Sequence, residues 1–340
     1  MRFGIFDHVD DAGTTVARQL EDRCRLIEQA DAAGFYAYHV AEHHGTQLGR
    51  SPSPNVLLSA LAQRTTRLRI GALVYPLPFY EPLRLVEEIC MLDQLSGGRL
   101  EVGVGKGASP TEGAFYNVSP DTGRDRFDEA LDVVLQGLTS PTLTHHGRFY
   151  SYDGVPMTMT PVQRPHPPLW FGAGHPDRAA WAAGKGMNIV ALLPAAEVRP
   201  ITDRYRAEWA ALGHSATDRP AMGVTRNIVL APSADEARSI ARRAFEAWRR
   251  NLNFLHGIGL GRPYPHLPPD FAAWLESGMA YAGTPDGAVD YVADQAERAG
   301  IDYMCAQIAF GDIAFAEASR TLGLLATEVI PAVTPVPAHP

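Results

Sequence analysis

Cysteine is scarce in this chain, and that scarcity restricts the chemistry. Cys24, Cys90 and Cys305 are odd in number, far apart and without metal-type spacing. They exclude a disulfide framework and fit buried thiols in a reducing cytoplasm. Basic charge is also in deficit, with 30 Lys+Arg against 38 Asp+Glu and a net charge of −8. A nucleic-acid binder would carry a cationic footprint, and none is present. No uninterrupted apolar run approaches the ~18 residues of a membrane span. The chain opens on strand-like Arg2–Phe6, so no signal peptide is expected and a cytoplasmic protein is. Three common catalytic signatures are missing. There is no GxSxG elbow and no GxxxxGK[ST] loop, and Gly103, Gly105 and Gly107 do not form GxGxxG.

What is present is an alternation. With 46% hydrophobic and 20% charged residues, the composition is that of a folded domain. Apolar strand patterns at 3–8, 35–40, 68–75, 100–105, 169–172, 187–193, 223–230 and 303–310 are separated by helical periodicities at 17–33, 54–66, 83–95, 126–138, 176–184, 197–212, 234–248 and 285–299. A last helix is expected over 313–329. This rhythm predicts parallel βαβ units closed into a TIM (β/α)8 barrel, with an open doubly wound sheet as the alternative. A single domain over 1–330 follows, with insertions at about 139–166 and 250–282 and a frayed tail at 331–340. The second insertion, rich in aromatics and prolines, is either a lid over the site or a cover for a dimer surface.

In such a barrel, residues after each strand converge on one face. The Glu42-His43-His44 triplet follows the second strand, and suits a general base or an orienting site. Metal is disfavoured, because consecutive strand residues point to opposite faces and HExxH spacing is absent. The fourth strand ends in Gly103-Val104-Gly105-Lys106-Gly107, where a ligand can approach the backbone and Lys106 can meet an anion. Gly172-Ala173-Gly174-His175-Pro176-Asp177-Arg178 leaves a strand and opens a helix, a second anion-binding pattern. Arg124 and Arg126 can reach the same face, or lie solvated on their helix.

At these residues the chain resembles the bacterial-luciferase-like flavin monooxygenases over nearly its full length. The resemblance is carried by AEHH at 41–44, GALVYPLPFYEPLRLVEE at 71–88 and LDQLSGGRLEVGVGKG at 92–107, with MTPVQRPHPPLWFGAG at 159–174 and AGTPDGAVDYV at 282–292 behind them. It implies a barrel that takes reduced FMN from a separate flavin reductase and uses O2 to oxygenate an aldehyde, ketone or similar small molecule. His43 matches the family's histidine beside the flavin, flanked by Glu42 and His44. The Ala72–Leu73 bond matches a non-proline cis peptide against the flavin ring. Lys106 stands where the family has a phosphate-binding arginine, and the loss of the guanidinium fork shifts weight to Arg124 or Arg126. Gly174, His175 and Arg178 occupy further phosphate positions without the usual hydroxyls. Gly105 replaces a cysteine near the flavin of the light-emitting enzyme, which argues against that reaction. A deazaflavin-dependent hydride-transfer enzyme and a non-catalytic flavin-binding subunit are the alternatives, and a homodimer is expected by analogy.

Overall fold

The computed structural model describes residues 1–260 and 268–334. Eleven strands lie among them, and eight close into a parallel barrel. In chain order the barrel strands are β1 (Arg2–Asp7), β2 (Ala37–Val40), β3 (Arg69–Pro76), β4 (Leu100–Gly105), β7 (Leu169–Gly172), β8 (Asn188–Ala191), β9 (Met222–Leu230) and β11 (Tyr303–Gln307). Each pairs in parallel with the next, and β11 returns to β1 through Arg2 opposite Tyr303. The open doubly wound alternative is therefore excluded.

Around this wall lie α1 (Val16–Ala33), α2 (Pro54–Arg64), α3 (Pro82–Ser96), α5 (Gly123–Thr139), α6 (Pro176–Gly184), α7 (Ala195–Ala211), α8 (Ala234–Leu260), α10 (Pro285–Ala299) and α11 (Phe315–Leu324). A π-helical turn over Leu325–Val329 and the short α12 (Ile330–Val333) follow α11. Helix α1 illustrates why the sequence folds this way. The Thr15 side chain caps its start, and Cys24, Ile27 and Ala30 bury one stripe against the strands. Burying a side chain the size of Ile27 contributes about 1.5–3 kcal/mol. The Ser96-Gly97-Gly98-Arg99 turn belongs to the scaffold. Arg99 donates to the Ala62, Thr65, Leu68 and Ser96 carbonyls and so ties the end of α2 to the start of β4.

Both insertions are more ordered than their composition suggested. The first carries the antiparallel hairpin β5 (Thr142–His146) and β6 (Ser151–Pro156). Glu129 of α5 anchors it by accepting the backbone N–H groups of Arg148, Phe149 and Tyr150. In the second, α8 runs on to Leu260, α9 (Phe271–Glu276) follows, and β10 (Ala280–Gly283) pairs with β9. Residues 250–282 are thus largely helix and strand instead of an irregular excursion, because amphipathic periodicity continues past Trp248. The part of that insertion at 261–267, and 335–340 of the tail, lie outside the described residues. Beyond the Lys106 loop lies another unexpected helix, α4 (Pro110–Phe115).

Candidate active site

Chain direction after β2 decides where its polar residues go. Ala41 joins an inward cluster with Phe6, Leu73 and Trp170. Glu42 is buried, and His43 and His44 keep side-chain exposures of 21% and 12% at the barrel mouth. His43 Nδ1 lies 3.2 Å from Oε1 of Glu112, and the His44 backbone N–H donates to that same oxygen at 2.7 Å. Glu112 is buried in the first turn of α4, and its own N–H donates to the Ser109 hydroxyl. A fixed carboxylate on Nδ1 sets the ring orientation and leaves Nε2 as the nitrogen available to another partner. Among the described residues, Nε2 of His43 has no hydrogen-bond partner.

Glu42 belongs to a second chain of contacts. Its Oε1 lies 2.8 Å from His44 Nε2, and its Oε2 accepts from the Tyr80 hydroxyl. His44 Nδ1 in turn lies 2.8 Å from the Tyr116 hydroxyl. Burial pushes the Glu42 carboxyl above its ordinary range, and the His44 and Tyr80 hydrogen bonds oppose that only in part. On the other side of His43 stands His8, with ring centroids 5.6 Å apart. Gln307 Nε2 lies 2.8 Å from His8 Nδ1. Burial first, and the neighbouring His43 second, hold His8 well below the usual imidazole range, so it is neutral. Phe6, His8, His43, Leu73, Val74 and Phe79 bound a cavity of about 160 Å³.

That cavity adjoins a cleft of about 620 Å³, and both are lined by Val74, Gly107 and Ala108. The size suits a cofactor. Its walls bring together Gly105, Lys106, Arg124, Gly174, His175 and Arg178. Arg178 packs its guanidinium 4.0 Å over the Trp181 ring and 5.2 Å over Phe171. Its Nε and Nη2 are buried without a partner. Burial, then the nearby Arg124 charge, lower its affinity for its proton. Two cations held this way fit an anionic group between them. A Cβ added at Gly172 or Gly174 would meet nothing within 4 Å, so the protein's own packing does not fill that cradle.

Close approach explains the glycines of β4. A Cβ on Gly103 would lie 2.4 Å from the Ala72 carbonyl oxygen, and one on Gly105 would lie 2.6 Å from Val74. The β3–β4 register shifts between Ala72 and Tyr75, where the Leu73–Val74 peptide is cis. Among the described residues, no cluster of three His, Cys, Asp or Glu side chains is arranged to hold a metal.

A family model described as luciferase-like monooxygenase matches residues 1–339. The chain belongs to that family. An uncharacterised protein of Sinorhizobium fredii, y4wF, is 43% identical over 313 residues, covering 92% of both chains. Among solved structures, the monooxygenase RslO1 of Streptomyces bottropensis superposes with a TM-score of 0.86 at 29% identity, over 98% of this chain and 100% of its own. At 18% identity, the oxygenating constituent of 3,6-diketocamphane monooxygenase from Pseudomonas putida, in complex with FMN, gives 0.82 over 98% and 99% of the two chains. F420-dependent enzymes share the fold at 18% identity as well, so fold alone does not choose the flavin.

Set against this family, three site expectations change. The cis bond lies one residue later, at Leu73–Val74 and not Ala72–Leu73. Ala72 points into the core between strands and helices, and Leu73 faces the barrel interior. A one-residue shift in a strand exchanges inward and outward faces. Arg126 leaves the cleft, because its Nε donates to the Tyr150 hydroxyl at 3.0 Å and its guanidinium lies over that ring. Arg124 takes the cleft position instead. His175 caps α6 by accepting the Asp177 N–H at 3.2 Å, and so reaches the cleft as a helix cap with an exposed ring.

Glu112 and Tyr116 were not found from sequence. Ser109-Pro110-Thr111-Glu112 does carry the S-x-x-E capping pattern. That pattern marks a helix start, but says nothing of a contact with a histidine 69 positions earlier.

Proposed function

We propose that this protein is the oxygenase of a two-component system. It takes reduced FMN from a separate flavin reductase and uses O2 to oxygenate a small apolar or carbonyl-containing substrate. The observation that carries this is the Arg178 guanidinium, with buried unpartnered nitrogens beside Arg124 on a cofactor-sized cleft. The donor set fits a phosphate monoester. Arg178 and Arg124 would hold it, with Lys106 as a point charge and the start of α6 contributing its dipole.

When bound, the reduced flavin supplies the electrons that activate O2. The chain supplies the rest. Leu73 and Val74 would lie against the flavin ring, and Phe6, Leu73, Val74 and Phe79 keep water away from the reacting atoms. His43 would hold or move the proton at Nε2, with Glu112 fixing the ring through Nδ1. His8, kept neutral, can hydrogen-bond a polar substrate atom across the cavity from His43. Exposed Val56, Met91 and Leu95 on α2 and α3 support a homodimer through the early helices, which sedimentation would test.

Oxygen decides the reading. With reduced FMN, a flavin reductase and a panel of ketones and aldehydes, the protein should consume O2 in a substrate-dependent way. Hydride transfer from reduced deazaflavin without O2 uptake would overturn it in favour of the deazaflavin alternative. Unchanged turnover in His43→Ala would remove His43 from the mechanism.

A further inference from the structure

His44 makes contacts that neither flavin binding nor the role of His43 requires. Both its ring nitrogens are occupied, Nε2 at 2.8 Å from Glu42 Oε1 and Nδ1 at 2.8 Å from the Tyr116 hydroxyl. Tyr116 is 38% exposed, while Glu42 is 8% exposed and lines the His43 cavity. The string therefore starts at solvent and ends at the cavity wall. Every member is held in place. The Tyr116 ring stacks on Phe79 at 4.9 Å with 6° between planes, and Glu112 holds the His44 backbone N–H. The Tyr80 hydroxyl fixes the far oxygen of Glu42.

We propose that Tyr116, His44 and Glu42 form a proton relay joining the buried wall of the active-site cavity to solvent, separate from His43. Two protonation patterns satisfy the same heavy-atom positions. In the first, Tyr116 donates to Nδ1 and Nε2–H donates to the Glu42 carboxylate. In the second, neutral Glu42 donates to Nε2 and Nδ1–H donates to the Tyr116 oxygen. Passing from one to the other moves the hydroxyl proton to Nδ1 and the Nε2 proton to Oε1, while water returns a proton to Tyr116. One proton travels from solvent to Glu42, and no electron moves. A neutral imidazole carries such a shift because one nitrogen donates while the other accepts. Burial of Glu42, which favours its neutral form, keeps the second pattern within reach. Besides Glu42, Tyr116 and Glu112, the titratable groups among the described residues that act on this string are His43, Tyr80 and Tyr75.

What the relay is used for rests on the oxygenase reading, but its existence does not, and the test separates the two. Nitrogen-15 spectra of the His44 ring, taken without flavin or substrate, should show exchange between the two tautomers. Tyr116→Phe, which keeps the ring and its stacking, should freeze His44 as the Nε2–H tautomer. In turnover the same variant should lose about tenfold or more in kcat, with KM and melting temperature unchanged and a changed solvent deuterium isotope effect. His44→Gln should lose at least as much, and imidazole should partly restore His44→Ala. If wild type and Tyr116→Phe show the same single tautomer, the relay is overturned whatever the oxygen electrode reads. Tautomer exchange with equal kcat and isotope effect in wild type and Tyr116→Phe would overturn its use in turnover. Tautomer exchange in a protein that never consumes O2 would keep the relay and sink the oxygenase reading.

Discussion

The floor and the mouth of the barrel each place histidine beside buried carboxylate, to opposite ends. At the floor, Glu101 of β4 is fully buried and saturated. Its Oε1 accepts from the Tyr36 hydroxyl and Arg69 Nε, both at 2.8 Å, and its Oε2 accepts from Trp170 Nε1 at 2.7 Å. His39 sits 3.6 Å from that carboxylate and 2.9 Å from the Tyr303 hydroxyl. Burial outweighs the Glu101 charge and pushes His39 down to about 4, so it is neutral at physiological pH. Its Nδ1 has no partner either, but the ring is fully enclosed. At the mouth, Glu42 and Glu112 hold two partly exposed histidines on a cavity wall, and one ring nitrogen of His43 is left over. A buried histidine–carboxylate contact therefore does not by itself mark a catalytic site. An unspent nitrogen facing a cavity is what makes His43 the candidate.

Four substitutions would break or sharpen that contrast. His43→Ala should cut turnover by about 10²–10⁴ while binding reduced FMN about normally, as read by single-turnover kinetics beside equilibrium titration. Glu101→Gln should do the reverse. Stranding Arg69 beside a neutral amide should cost about 3–5 kcal/mol in denaturant unfolding, while turnover per folded molecule stays within about twofold. A lossless Glu101→Gln would mean the floor is not the structural member of the pair. Glu112→Gln keeps an acceptor on His43 Nδ1 but removes the charge, and about a tenfold drop in kcat with little change in melting temperature is expected.

Asp10 should give the smallest effect. This fully buried residue holds the Gly311 N–H and Asn251 on one oxygen, while its Oδ1 has no partner. Burial raises it from 3.8 to about 7, against the lowering hydrogen bond from Asn251. A raised carboxyl binds its proton more tightly in the folded state. Its contribution is therefore complete below about pH 4 and fades as pH climbs through 7. Asp10→Asn removes this dependence, so its stability relative to wild type should rise by about 1 kcal/mol or more between pH 5 and 8 in urea unfolding. A pH-independent difference would mean that Asp10 is ionised throughout.

Much of the architecture was legible because strand and helix periods differ and eight alternations leave few topologies. The Glu42-His43-His44 triplet was legible because strand ends converge on one face in a barrel. Residues whose roles depend on distant partners were not. Glu112 meets His43 across 69 positions, and Tyr116 meets His44 across 72. Nothing in the local pattern of α4 announces either contact. Arg124 and Arg126 could not be separated from sequence, since helix phase decides which reaches the cleft and the hairpin residue Tyr150 captures the other. The cis bond was misplaced by one residue, a shift that strand alternation turns into a change of face.

The most direct measurement is anaerobic titration of wild type and Arg178→Gln with reduced FMN and reduced riboflavin. If the cleft beside Arg178 holds a flavin phosphate on the way to His43, wild type should prefer FMN by about tenfold or more, and the substitution should erase most of that preference while leaving riboflavin binding unchanged. Equal affinity for FMN and riboflavin in wild type, or a preference untouched by Arg178→Gln, would contradict the account.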